Sequence, residues 1–353
     1  MAGQRAATLV DVAHRAGVSL ATASRVLNGT TRVVGEQLRA RVLDAAAELR
    51  YTPNPHAQAG ARGASNVVGL VVHDIADPYF STIAAGVMRV AHAHRLVVTL
   101  GSTLGNPDRE LEYVATMWAQ RARALILLGS RGSATGHLRQ LTTQVRAYRD
   151  GGGRVACVSQ NRLGIDTVLP ENRAGGRDLA AELVRLGHRR FAVLAGPPDV
   201  LTARDRLAGF RDGLTTAGLT LAADQVLTGP FTRDGGYAAA DRLIATGLDA
   251  TCVFAVNDVM AVGAMARLRE AGVQVPTQLS VAGFDDIPTL RDVVPALTTV
   301  RLPLDVMGEQ VARMVLDDPA PERPRLARVR GELVLRESTA APRSNGSILI
   351  YHQ

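Results

Sequence analysis

Two hydrophobic periodicities divide the chain. Over residues 8 to 49 apolar positions recur every three or four residues: Leu9, Val12 and Ala13 on one predicted helix, Ala23, Val26 and Leu27 on a second, and a third pattern from Val34 to Leu49. Gly17 stands where a tight turn would join the first two, Ser19 is placed to cap the second, and Asn28-Gly29 to end it. From Val67 the pattern changes to strands alternating with helices. Val67–Val72 is a continuous β-branched run of the kind buried in a parallel sheet. A helix at 80–93, strand at 96–100, helix at 109–120, strand at 124–128, helix at 135–150 and strand at 155–159 follow. A second series repeats the cycle: helix 175–186, strand 191–195, helices 203–217 and 232–246, strand 252–256, helix 258–271 and strand 279–283. The fold class is therefore α/β: an all-α helix-turn-helix head ahead of a core of doubly wound parallel sheets, with ligands expected beyond the carboxyl ends of the strands.

Between the two patterns lies Pro55 to Ser65, rich in small residues and bounded by Pro and Gly, which reads as a domain boundary. The expected organisation is a helix-turn-helix head at 1–53, a hinge or linker at 54–66, a core at 67–340 and a tail at 341–353. The tail carries Ile348-Leu349-Ile350-Tyr351 but no heptad series, which argues against a coiled-coil tetramer.

The second predicted helix leaves Leu20, Ala21, Thr22, Ser24 and Arg25 pointing outward. That set suits the major groove of DNA: a guanidinium able to pair bidentately with guanine, small and apolar residues that allow close approach, and hydroxyls for phosphate oxygens. The bland alternative is a short amphipathic hairpin with no partner. Charge favours DNA. Of the formal +7 on 353 residues, residues 1–62 hold eight arginines against Asp11, Glu36, Asp44 and Glu48, a basic head on a nearly neutral body.

These motifs make the chain resemble the LacI/GalR family of bacterial transcriptional regulators. The resemblance rests on Leu9, Asp11-Val12-Ala13, Ala16-Gly17-Val18-Ser19, Thr22, Ser24 to Gly29, Arg41-Val42, Ala46, Glu48-Leu49, Tyr51 and Pro53-Asn54. It continues through Asp77-Pro78-Tyr79-Phe80, Arg206 to Phe210, Asn257-Asp258, Gly283 to Asp286 and Leu297 to Val300, and so spans residue 8 to about residue 338. It implies a homodimeric, ligand-controlled regulator, most commonly a repressor, on a near-palindromic operator with half-sites about 34 Å apart. Leu20, Ala21 and Arg25 would read bases, while Thr8, Ser19, Thr22, Ser24 and Asn28 would hold the DNA backbone. The link would form a hinge around Ala57, Gly60 and Ala61. Gly60 stands where the family has a leucine that wedges into the minor groove.

The resemblance also implies a periplasmic-binding-protein-like core of two lobes, roughly 67–161 with 293–325 and 162–292 with 326–340. The expected effector contacts are His73, Tyr79, Phe80, Arg206, Phe231, Asn257 and Asp285, with one of Tyr79 and Phe80, rather than both, lining the pocket. A sugar or sugar derivative is the expected effector. Gln160-Asn161-Arg162 departs from the family's acidic residue followed by arginine, which puts one lobe contact in question.

Other functions lack residues. No Gly-x-Gly-x-x-Gly follows a strand, no lysine exists for a phosphate loop, and no Gly-x-Ser-x-Gly elbow is present, so neither an enzyme nor a cofactor is expected. Cys157 and Cys252 lack metal-ligand spacing and read as core residues. No apolar run reaches membrane-spanning length and the N-terminus lacks a signal-peptide apolar core, so a cytoplasmic, nucleoid-associated protein is expected. A sugar-binding module for transport would share the core but would have no use for the first sixty residues.

Overall fold

A computed structural model describes residues 7–28, 34–52, 65–247, 249–317 and 321–342. The hinge positions Ala57, Gly60 and Ala61, the residues after 342 and the side chain of Asn28 lie outside them. The chain divides into two compact units, meeting between Asn66 and Val67.

The described residues of the first unit form three helices, α1 (Leu9–Ala16), α2 (Leu20–Asn28) and α3 (Glu36–Glu48). Thr8 and Asp11 form a capping box at the start of α1: the Thr8 backbone N–H donates to Asp11 Oδ2 at 2.7 Å and the Asp11 N–H donates to Thr8 Oγ1 at 3.4 Å. Gly17, at φ +62°, ends α1 in a left-handed turn. Its missing side chain also makes room for Arg41, whose Nη2 donates to the Ala16 carbonyl at 2.5 Å. Ser19 Oγ then accepts from the Thr22 N–H at 3.1 Å and opens α2. Val12, Ala13, Ala16, Ala23, Val42, Ala45 and Ala46 form the core where the three helices meet.

The second unit contains two parallel sheets. Its first lobe is built from β1 (Val67–Val72), α4 (Pro78–Ala93), β2 (Val97–Ser102), α5 (Pro107–Ala119), β3 (Ala124–Leu128), α6 (Thr135–Asp150), β4 (Arg154–Val158) and β5 (Asp166–Pro170). The chain then enters the second lobe: α7 (Asn172–Arg185), β6 (Phe191–Ala195), α8 (Leu201–Thr216), β7 (Val226–Thr228), α9 (Arg233–Ala245), β8 (Cys252–Ala255), α10 (Asp258–Glu270) and β9 (Ser280–Ala282). The last elements are β10 (Thr299–Arg301), α11 (Leu304–Leu316), β11 (Leu326–Val329) and β12 (Glu332–Val334). Strand order is β11-β5-β4-β3-β1-β2 in the first sheet and β7-β6-β8-β9 in the second, every pair parallel. β10 and β12 pair antiparallel as a separate two-stranded sheet in segments where the chain passes between the lobes.

The lobe boundaries expected from the sequence need correction. β5 and β11, assigned above to the second lobe, belong to the first sheet, with Thr167 opposite Leu326 and Arg328 opposite Leu169. The physical reason is local: Asp166 accepts from the Arg325 backbone N–H at 2.7 Å and from its Nη2 at 2.5 Å, which pins the entry to β11 beside β5. Residues 296–298, assigned to the first lobe, instead bond the second: the Gly283 N–H donates to the Thr298 carbonyl at 2.8 Å, and the Ser338 N–H to that of Ala296 at 2.9 Å.

Sheet faces are covered by helices that approach at backbone distance. A Cβ on Gly86 of α4 would overlap the Asp305 carbonyl of α11, and one on Gly308 of α11 would overlap that of Ile83. The same reciprocal arrangement joins α7 to α8 through Gly176 and Gly209, and α9 to α10 through Gly236 and Gly263. The loops at the strands' carboxyl ends are where a ligand cleft is expected. Among the described residues no helix is long and apolar enough to cross a membrane.

Candidate functional site

Two surfaces carry the residues singled out above. On the first unit, Leu20 and Ala21 are exposed, Leu20 at 49% of its area, while Thr22, Ser24 and Arg25 are half-buried on the same helix. An exposed leucine beside an exposed alanine has no role in the core of the unit and leaves an apolar surface open to a partner. The hydroxyls of Thr8 and Ser19, both expected on DNA backbone, are engaged in the caps of α1 and α2, and the Thr22 hydroxyl lies 2.9 Å from Ser19 Oγ. Their contribution to holding helix ends is thus in place before any partner arrives.

The second surface is a cleft of about 760 Å³ within the core unit. All seven expected effector residues line it: His73, Tyr79, Phe80, Arg206, Phe231, Asn257 and Asp285. The expectation that only one of Tyr79 and Phe80 would do so is corrected. Helix α4 begins at the carboxyl end of β1, and the two rings meet edge to face with centroids 5.0 Å apart. His73 lies against Phe80 at 5.8 Å. Burial and then the nearby Arg131 guanidinium lower the His73 pKa to about 4, so the ring is neutral at pH 7. Burial pushes the Tyr79 hydroxyl up, and it stays protonated as a donor.

Arg206 is the most constrained group in the cleft. It is 2% exposed, and its guanidinium bonds Asp285 with both forks, Nη1 to Oδ2 at 3.2 Å and Nη2 to Oδ1 at 2.6 Å. Its Nε donates to Asn172 Oδ1 at 2.9 Å, Nη1 also donates to the Val256 carbonyl at 2.7 Å, and the plane lies 3.9 Å from the Phe284 ring centre. Burial raises the Asp285 carboxyl above the ordinary range and Arg206 opposes that rise. Donors on both of its oxygens suit the carboxylate, which has no hydrogen to place. Asn257 spends its side-chain oxygen on the N-terminus of α10, accepting from Met260 N at 3.0 Å, which leaves its amide group for the cleft.

Several lining residues escaped the sequence reading. Asp77 caps α4 through Tyr79 N at 2.9 Å, a role that the following Pro78 signals. Asp74, Ser130, Asn172 and Thr202 also line the cleft. Gln160, where the family resemblance leads us to expect an acid, accepts from the Arg131 backbone N–H at 2.9 Å and donates through Nε2 to Thr202 Oγ1 at 2.9 Å. An amide supplies both the donor and the acceptor here; a carboxylate could keep the second bond only by accepting from the Thr202 hydroxyl. This link and an antiparallel bridge between Gly132 and Val200 tie the first lobe to the second across the cleft. Beneath it, Arg131 pairs with buried Glu110 at 2.8 Å, and His137 Nε2 lies 3.0 Å from the other Glu110 oxygen. Burial disfavours the charge on Glu110, but Arg131 and His137 outweigh it and hold the carboxyl at about 2.

Comparison with known proteins joins the two surfaces. Residues 8–54 match the family model described as bacterial regulatory proteins, lacI family, and residues 180–339 match that of a periplasmic binding protein-like domain. The chain is 33% identical over 316 residues to the HTH-type transcriptional regulator GalS of Salmonella typhimurium, covering 89% of this chain and 90% of that one. Among solved structures, the lac repressor dimer bound to operator and the anti-inducer ONPF is similar at a TM-score of 0.83 and 28% identity, over 96% of this chain and 100% of that one. The transcriptional regulator CelR in complex with cellobiose is similar at a TM-score of 0.68 and 29% identity, over 94% and 99%. With a helix-turn-helix head and a two-lobed α/β core, this chain belongs to the lacI family of bacterial regulatory proteins and is a DNA-binding transcriptional regulator.

Proposed function

We propose that the protein is a cytoplasmic repressor, acting as a homodimer on a near-palindromic operator and controlled by a small sugar-like molecule in the cleft. The observation that carries this reading is the presence, in one chain, of a capped α2 with exposed Leu20 and Ala21 and of a separate cleft lined by aromatic rings and buried polar groups. The similarity to an operator-bound repressor dimer and to a cellobiose-bound regulator supports it.

In this mechanism the two copies lay α2 in successive major grooves about 34 Å apart. Arg25 pairs with a guanine, Leu20 and Ala21 meet base edges and thymine methyls, and Ser24 and Asn28 hold the backbone. Thr8 and Ser19 support backbone contact through the helix ends they cap, and Thr22 through its bonds to Ser19. The effector binds one relative arrangement of the lobes better than the other, and that difference in affinity sets the fraction of protein competent for DNA. Residues 54–66 carry the change to the heads. The test is selection of duplex sites from random DNA by the intact protein, followed by titration of neutral sugars against the selected site. A symmetric consensus whose binding responds to a sugar supports the reading; no preference for any duplex, with or without sugars, overturns it.

A further inference from the structure

We infer that the cleft takes an uncharged, hydroxyl-bearing ring compound and turns away the phosphate or carboxylate derivatives of that compound. The inference rests on the effector reading above and narrows it to a chemical class.

An anion entering a protein cleft is held by free guanidiniums or by the open N–H groups of helix N-termini. This cleft offers little of either. Its two lining arginines are engaged: Arg206 gives four bonds to Asp285, Asn172 and Val256, and Arg233, on the exposed first turn of α9, pairs with Asp234 at 2.9 Å. Among the described residues five helices start at the cleft wall; α7, from Asn172, has no side-chain cap and follows the carboxylate of Glu171, while in each of the other four a protein group already takes a first-turn N–H. Asp77 takes the Tyr79 N–H of α4, Ser130 Oγ takes the Thr202 N–H of α8 at 3.0 Å, Thr232 takes the Gly235 N–H of α9 at 3.1 Å, and Asn257 takes the Met260 N–H of α10. The cap of α4 is itself a carboxylate, so that helix end presents negative charge to the cleft.

The remaining charge points the same way. Four carboxylates line the cleft, Asp74, Asp77, Asp199 and Asp285, against those two guanidiniums, and His73 is neutral. Asp74 and Asp77 each spend one oxygen on a backbone N–H, from Ala76 and Tyr79, both at 2.9 Å. Among the described residues their second oxygens have no protein donor, so they are acceptors waiting for O–H groups. Tyr79, Phe80 and Phe231 supply apolar faces against which the C–H side of a ring can lie. A volume of about 760 Å³ falls within the range of small-molecule sites and holds one or two such rings.

The experiment measures matched pairs on the full-length protein by calorimetry and thermal shift: glucose with glucose 6-phosphate and with gluconate, galactose with galactose 6-phosphate, and adenosine with adenosine monophosphate. The expected result is that at least one neutral member binds, at least tenfold more tightly than its charged partner. Replacing Asp77 with Asn, which also caps helices, is expected to narrow that gap severalfold. A charged member that binds as tightly as its neutral partner, or a gap unchanged in Asp77→Asn, overturns the inference while leaving the effector reading intact. Binding by no member of any pair, and no response of DNA binding to any of them, overturns both.

Discussion

Arg206 and Asp285 lock together by two parallel bonds, 2.6 and 3.2 Å long, in a cleft where neither side chain is more than 5% exposed. Helix α8 and the turn after β9 supply the two partners, so the pair holds two separate segments of the second lobe in register. Arg206→Ala strands a buried carboxylate and is expected to cost about 3–5 kcal/mol of stability, read as a lower denaturation midpoint. Replacing both, Arg206→Met with Asp285→Asn, removes the stranded charge and is expected to recover part of that loss, the rest reflecting the donors that Asn172 and the Val256 carbonyl no longer have. The double variant should still have lost the response to effector. A single variant as stable as the parent would show that the pair is not kept dry.

Arg25 tests the DNA end of the molecule. Arg25→Ala is expected to cost about 1–3 kcal/mol on the selected operator, with the loss concentrated at one base pair per half-site. Competition against single-base variants of the operator reads this directly. Equal loss on every sequence, with a shallower salt dependence, would assign Arg25 to phosphate instead.

Gly60 occupies the position at which the family resemblance leads us to expect a minor-groove leucine; a glycine would both remove such a wedge and weaken a helix by about 1 kcal/mol relative to alanine. Gly60→Leu is therefore expected to tighten operator binding and enlarge the bend, measured by gel shift with circularly permuted fragments. Unchanged affinity together with an unchanged bend would mean that the hinge acts without a wedge at this position.

The sequence disclosed elements better than it disclosed their partners. Capping residues such as Ser19 mark helix starts by local chemistry, and β-branched runs such as Val67–Val72 mark buried strands, whereas the start of α4 at Pro78 behind its Asp77 cap was placed two residues late. β5 was missed because Asp166-Thr-Val-Leu-Pro is short and begins with a charge; its identity depends on Arg325, far along the chain. The cleft residues were legible where they sit in family motifs, as with Arg206 and Asp285. Gln160 and Thr202 were not, because their meaning lies in a hydrogen bond that joins two lobes. The paired glycines of adjacent helices, Gly86 with Gly308 among them, were visible as residues but not as a pair.

Acid sensitivity offers a test of the buried core that needs no ligand. Asp258, at the start of α10, accepts from Thr299 Oγ1 at 2.7 Å and from Ile287 N at 3.0 Å, and burial raises its pKa from 3.8 to about 6. The native protein keeps a proton there that the unfolded chain has released, so this group's stabilisation is complete below about pH 4 and is lost as pH rises through 6. The shift corresponds to about 3 kcal/mol. His73 works the other way. Its pKa falls from 6.5 to about 4, so the unfolded chain binds a proton that the native state refuses, and its contribution grows as pH rises toward 6.5. Denaturation curves at pH 4.5 and 7 for the parent, Asp258→Asn and His73→Gln separate the two. Relative to Asp258→Asn the parent is expected to lose stability across that interval, and relative to His73→Gln it is expected to gain. Parallel curves for all three proteins would mean that both side chains exchange protons as they do in water.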